Sequence, residues 1–252
     1  MDVKLVVRTL DLFELYAVEA RPLSLTELSR GLAAPLSSTL ALVRTLIGKG
    51  YLYEIKKRGG YYPTKKILGT SLKIDQADPV LELIHPHLMT LRDDSGETVV
   101  LGKRQDLQVI YLDTVASKQV IRYTAEPGEV RDIYSNSIGK ALISALKITD
   151  RKKLAAAIQW RRHTARTLAS AKALLKDAED TADRGWSANI GESVEDLAAV
   201  ATAFALGGEW YGISVVGPLG RMQASWDKHI ALILRVTESI QQARDPVDPS
   251  SR

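Results

Sequence analysis

Four histidines, His85, His87, His163 and His229, are the residues best suited to proton transfer or metal binding. His85-Pro86-His87 brings two imidazoles close together in sequence, but neither a His-Glu-x-x-His spacing nor a second ligand cluster accompanies them. A surface or packing role is expected for both. The chain has no cysteine, which excludes a disulfide scaffold, a thiolate zinc site and a catalytic thiol. Ile138-Gly139-Lys140-Ala141 has the Gly-Lys of a phosphate loop, yet Tyr134 stands where the first glycine belongs and no Ser or Thr follows Lys140. Gly212-Ile213-Ser214-Val215-Val216-Gly217 has the wrong spacing for a nucleophile elbow. No catalytic or metal-binding set emerges, and no cofactor is expected.

What remains is chemistry for binding. Ser135-Asn136-Ser137 precedes an expected helix start, where free amides and the helix dipole favour an anion such as a carboxylate; the same residues also read as a plain capping loop. Lys56-Lys57-Arg58 is a run of three cations that can neutralise phosphates or simply be solvated. Charge is unevenly distributed around them: residues 1–76 carry a net +5 and the rest −1, of a total of +4. Excess positive charge on one module is the footprint of phosphate-backbone binding, although a surplus this small also suits an ordinary soluble surface.

The elements that must position these groups follow from periodicity. Residues 3–18 place Val6, Leu10, Phe13 and Ala17 at helical spacing. Arg21-Pro22 ends that helix, and Ser24-Leu25-Thr26-Glu27 reads as a capping box for a second, with Leu25, Leu28 and Leu32 as its apolar stripe. After Ala33-Ala34-Pro35, Ser and Thr in Leu36-Ser37-Ser38-Thr39 are expected to cap a third helix, continued by Leu42, Val43, Leu46 and Ile47 and stopped at Gly48-Lys49-Gly50. Two short helices across a tight break make a helix-turn-helix. Tyr51–Ile55, the basic turn through Gly60, and Tyr61–Pro63 then form a hairpin in the position of a wing. The order helix, helix, helix, basic hairpin points to DNA binding, with Ser37, Ser38, Leu40, Ala41 and Arg44 on the outward face of the third helix. Of these only Arg44 offers a bidentate base contact, so base-specific hydrogen bonding is sparse per protomer and paired half-sites in a dimer would compensate.

The length of 252 residues suits one or two domains, and 45% hydrophobic with 25% charged residues is ordinary for a globular protein. No signal-like N-terminus and no run of 18 apolar residues is visible, so a cytoplasmic chain without a membrane partner is expected. The expected organisation is a winged helix-turn-helix domain over 1–64, a linker helix over 65–77, a second domain over 78–244, and a disordered tail over 245–252. In the second domain the period changes from 3.6 to 2 after Ser95-Gly96. Strands are expected at 97–102, 108–113, 120–123, 186–189, 197–205 and 210–216, and helices at 138–146, 150–159 and 170–184, with an amphipathic helix closing the domain. This is an α+β pattern with a largely antiparallel sheet.

Several stretches together resemble the IclR family of bacterial transcription regulators. They are Arg8-Thr9-Leu10-Asp11-Leu12, Pro22 to Leu28, Pro35 to Tyr51, Glu97-Thr98-Val99, Ser137 to Leu142, Arg184-Gly185-Trp186 and Ile213 to Pro218. The resemblance runs from about Arg8 to Ile240. It implies a winged helix-turn-helix to which Arg8 and the wing cations Lys56, Lys57 and Arg58 contribute, a linker helix, and a GAF-like effector-binding domain. It also implies a homodimer or homotetramer that binds double-stranded operator DNA and answers to a small carboxylic acid. By the same resemblance the ligand pocket would use Ser137, Ile138 and Gly139, whose amides would receive the carboxylate, with Asn189, Glu192, Ala199, Ser214 and Val216 as further walls. Asn189, Ala199 and Val216 stand where the family often has Asp, Cys and Ser, which implies a ligand larger and less polar than a two-carbon acid, aromatic in character. Leu36, Leu40 and Ala41 stand at family Lys, His and Arg positions, so the operator is expected to depart from the common consensus. Two other readings fit the residues less well: an enzyme docked on nucleic acid by its N-terminus, and a protein–protein module built on the winged helix.

Overall fold

The computed structural model describes residues 2–56, 59–75 and 77–242. It divides into two compact units, Met1–Asp78 and Pro79–Arg252. The expected disordered tail at 245–252 and two wing cations, Lys57 and Arg58, lie outside the described residues.

The first unit contains α1 (Lys4–Glu19), α2 (Leu25–Gly31), α3 (Leu36–Gly48), a hairpin of β1 (Leu52–Glu54) and β2 (Tyr61–Pro63), and α4 (Lys66–Asp75). The capping box at α2 forms in both directions: the Ser24 amide donates to Glu27 Oε2 (2.8 Å) and the Glu27 amide to Ser24 Oγ (3.3 Å). The axes of α2 and α3 are bent by 110°, within the range of a helix-turn-helix. Ala33 makes the turn with φ 45°, a left-handed conformation that usually falls to glycine. Leu12, Leu28, Val43 and Leu52 converge beneath it in one core.

Two expectations change here. The buried face of α1 is Leu12 and Tyr16 with Phe13 at its margin, while Val6, Leu10 and Ala17 are exposed, because the face that meets the core of the unit is the one carrying Leu12, Phe13, Leu15 and Tyr16. Ser and Thr do not cap α3 either. Its N-cap is Pro35, and the Ser38 and Thr39 hydroxyls donate back to the Pro35 carbonyl (2.9 and 3.1 Å). Gly50, at φ 77°, provides the left-handed exit from α3. The start of α4 is fastened to that exit. Thr64 Oγ1 donates to the Gly50 carbonyl (2.6 Å), the Thr64 amide to Tyr51 O (2.8 Å), and Lys66 Nζ to Lys49 O (2.6 Å) while lying 4.9 Å over the Tyr51 ring.

The second unit is built on a six-stranded sheet. Its strands are β3 (Thr98–Gln105), β4 (Gln108–Val115), β5 (Val130–Asp132), β6 (Ser187–Ile190), β7 (Leu197–Leu206) and β8 (Glu209–Pro218), in the order β5-β4-β3-β8-β7-β6, every pair antiparallel. Alternation divides their side chains between two cores. Val99, Leu101, Val200, Ile213 and Val215 pack with α5 (Pro79–Ser95), α9 (Leu219–Ala224) and α10 (Trp226–Gln242). Val100, Val109, Tyr111, Ala199 and Ala201 pack with α6 (Ser137–Ser144), α7 (Ile148–Ala157) and α8 (Ala171–Arg184). The stretch 120–123 is not a strand. Val120 and Ile121 are exposed on a loop, and Val130–Asp132 takes the edge place beside Gln108–Ile110.

Candidate ligand cavity and nucleic-acid interface

The sheet face that meets α6 holds a cavity of about 370 Å³, within the range of small-molecule sites. Its floor is sheet: Ala199, Ser214 and Val216 from the centre, Asn189 from β6, Gln108 and Tyr111 from β4. Its walls are the start of α6 with Ser135, Asn136 and Ser137, the edge residues Val130, Arg131 and Asp132, and the loops bearing Tyr123, His163, Ser193 and Val194.

The start of α6 is shaped by close packing. A Cβ on Gly139 would lie 2.1 Å from the Ile133 carbonyl oxygen, so only glycine fits there. The Gly139 amide donates to Asn136 Oδ1 (3.2 Å), and Asn136 Nδ2 donates to the Tyr111 hydroxyl (2.8 Å). Burial pushes the Tyr111 phenol far above its ordinary value, so it stays neutral. The Ile138 side chain fills the space over Gly102 and Gly212, where a Cβ on Gly212 would meet it at 2.6 Å.

Of the residues suggested by the resemblance, Ser137, Asn189, Ala199, Ser214 and Val216 come together on the cavity, whereas Ile138, Gly139 and Glu192 do not line it. The Ile138 side chain is core and the Gly139 amide is occupied by Asn136. Glu192 turns instead to Lys140, which is only 1% exposed: Nζ lies 2.7 Å from Glu192 Oε1 and 3.2 Å from Asp177 Oδ1. Burial, helped by Asp177 and opposed by Lys140, raises the Glu192 carboxyl above its ordinary value. Asn189 is fully engaged: Oδ1 accepts the Glu192 amide, and Nδ2 donates to Ser135 O and Ser193 Oγ, each at 2.9 Å. The Thr167 hydroxyl donates to the Glu192 carbonyl (2.6 Å) and that of Thr164 to Gly191 O (2.6 Å), so two wall loops are tied together.

Tyr111, Tyr123, Arg131 and His163 were not anticipated. The inward alternation of Val109 and Tyr111 along β4 was a legible signal for the first; Arg131 and His163 gave none, because a short edge strand and an irregular loop bring them in. His163 Nε2 pairs with Asp132 Oδ2 (3.0 Å), and His85 Nδ1 with Asp113 Oδ2 (2.7 Å). His229 is buried, and burial lowers its affinity for a proton.

In the first unit, α3 exposes Ser37, Ala41 and Arg44, with Ser38 and Leu40 half-buried. Arg8 is half-buried on α1, and Lys56 is exposed at the hairpin tip. The hairpin is seated by a two-way bridge between Leu23 and Tyr61 (3.1 and 2.8 Å).

Comparison with known proteins accounts for both units. Residues 5–55 match the IclR helix-turn-helix domain, and residues 74–242 match the bacterial transcriptional regulator IclR C-terminal domain. The acetate operon repressor of Salmonella typhimurium is 29% identical over 203 residues, covering 80% of this chain and 74% of that protein. The transcriptional repressor IclR of Escherichia coli is 27% identical over 225 residues, covering 88% and 82%. Among solved structures, Thermotoga maritima IclR superposes with a TM-score of 0.80 at 18% identity, covering 94% of this chain and 97% of that one. An IclR homolog from Microbacterium hydrocarbonoxydans, complexed with 4-hydroxybenzoate, gives 0.75 at 16% identity, covering 96% and 98%. With a helix-turn-helix at one end, a cavity-bearing α+β domain at the other and both family domains matched in order, this chain belongs to the IclR family, and it is a ligand-responsive, DNA-binding transcription regulator rather than an enzyme.

Proposed function

We propose that the protein binds double-stranded operator DNA in the cytoplasm as a homodimer or homotetramer, and that a small organic acid of aromatic character is its effector. The observation that carries this reading is the cavity beside the start of α6: it offers hydroxyls and one arginine for an anion, and Val130, Val194, Leu197, Ala199 and Val216 for an apolar ring. The 4-hydroxybenzoate found with the Microbacterium hydrocarbonoxydans homolog supports the ligand class. Arg44, Ser37, Ser38, Leu40 and Ala41 would meet the major groove, while Arg8, Lys56, Lys57 and Arg58 neutralise phosphates. Effector binding would act through α4 to change the spacing of paired reading heads, and hence operator affinity.

The test is fluorescence anisotropy on DNA upstream of the protein's own gene, with and without benzoate and 4-hydroxybenzoate. Either acid should shift the midpoint, and glyoxylate should not. Replacing Lys56, Lys57 and Arg58 together with alanine should flatten the log–log salt slope by about 1–3. Binding of glyoxylate with no response to either aromatic acid would overturn the effector class, and an unchanged salt slope would remove the wing contact.

A further inference from the structure

We propose that the effector lies with its carboxylate on Arg131, at the sheet edge, and its ring and far polar group toward the start of α6, the reverse of a carboxylate seated on the helix amides. This rests on the aromatic-acid reading above and adds an orientation to it.

Three observations point the same way. Arg131 is the one permanent cation among the described lining residues, and its Cζ lies 5.7 Å from the centre of the Tyr111 ring. Glu129, which does not line the cavity, pairs with Nη2 of that guanidinium, Nη1 donates to the Val130 carbonyl (3.2 Å), and the Tyr123 hydroxyl on the cavity wall also engages it. A guanidinium has five donors, so N–H groups remain for a ligand carboxylate. Asp132, the one carboxylate on the wall, is held by His163 at 3.0 Å.

Among the described residues, the opposite end brings no lysine or arginine onto the cavity wall. The Gly139 amide is spent on Asn136. The Lys140 ammonium does not line the cavity and is paired with Glu192 and Asp177. The groups this end presents are the hydroxyls of Ser135, Ser137 and Ser214, neutral donors and acceptors that suit a phenol better than a carboxylate. The two ends are one tyrosine ring apart: Arg131 faces the Tyr111 ring, and the Tyr111 hydroxyl accepts from Asn136 at 2.8 Å.

The experiment is calorimetry of the full chain and its variants with benzoate, 4-hydroxybenzoate and the uncharged 4-hydroxybenzamide. Arg131→Gln should weaken both acids by at least about tenfold and leave the amide within about twofold; Arg131→Lys should recover part of the loss. Ser137→Ala should reduce 4-hydroxybenzoate to the affinity of benzoate while leaving benzoate unchanged. Equal acid binding by Arg131→Gln and wild type would overturn the orientation while the aromatic-acid reading stands. So would a parallel loss of the amide, which marks a merely structural arginine. If wild type binds neither acid, the aromatic-acid reading itself fails and the orientation falls with it.

Discussion

Lys140 Nζ and Glu192 Oε1, 52 residues apart in sequence, meet at 2.7 Å inside the second unit, with Asp177 Oδ1 3.2 Å from the same nitrogen. One ammonium therefore serves two carboxylates, and Glu192 Oε2 and Asp177 Oδ2 find no hydrogen-bond partner among the described residues. The charge balance is asymmetric, and so is the expected response to mutation. Lys140→Met strands two buried carboxylates and should cost about 3–5 kcal/mol in urea unfolding, whereas Glu192→Gln leaves a balanced Lys140–Asp177 pair and should cost well under half of that. The Glu192 carboxyl is raised in the folded state, chiefly by burial, so its contribution is full below the ordinary value of 4.5 and is lost as pH rises above it. The stability difference between wild type and Glu192→Gln should therefore shrink from pH 4.5 upward; a difference that grows would contradict the cluster as described.

Asn189→Asp removes the donor that Ser135 O and Ser193 Oγ share. A carboxylate there faces a carbonyl oxygen and places a new negative charge on the cavity. The cost should be about 1–3 kcal/mol in stability, together with weaker binding of any acid, read by thermal shift and calorimetry.

Two glycines should respond in opposite directions to alanine. Gly139→Ala drives a methyl to 2.1 Å from Ile133 O and should destabilise by at least about 2–3 kcal/mol. Gly69, inside α4, has nothing within 4 Å of its would-be Cβ, so Gly69→Ala should stabilise the helix by about 1 kcal/mol. Chemical denaturation of the two variants, side by side, checks both.

Ala33 occupies the left-handed turn between α2 and α3 at φ 45°. Ala33→Gly should relieve about 1 kcal/mol of backbone strain and raise the unfolding midpoint of the DNA-binding unit without altering operator affinity.

The capping box at α2 sets an acid limit. The Ser24 amide and hydroxyl and the Arg21 guanidinium hold the Glu27 carboxyl at about 2, below its ordinary value. A lowered folded value means stability that is present above the ordinary range and lost as pH falls toward about 2. Ser24→Ala should cost about 1 kcal/mol at neutral pH and weaken this acid dependence, followed by circular dichroism across an acid titration.

Local signals were legible where a residue type has a single physical use. Ser24 and Glu27 marked the start of α2, the glycine pair around Lys49 marked the end of α3, and alternation marked β3, β4, β7 and β8. Val120 and Ile121 were misleading because a short apolar run does not say whether a sheet edge is vacant, and residues 130–132 occupy that edge. In α1 the 3.6-residue period admitted two registers, and which one is buried depends on where the other helices pack. For the cavity, resemblance indicated five positions that converge on it. Arg131 and His163 arrive through β5 and an irregular loop, whose course depends on tertiary contacts with no periodic trace in the chain.

The junction between α3 and α4 has a mechanical consequence. Thr64 and Lys66 clamp the exit of the recognition helix through three hydrogen bonds and a cation above Tyr51. A torque applied along α4 meets no slack at this joint. Within the first unit, α4 and the helix that carries Ser37 and Arg44 are therefore coupled as one piece rather than joined by a free hinge.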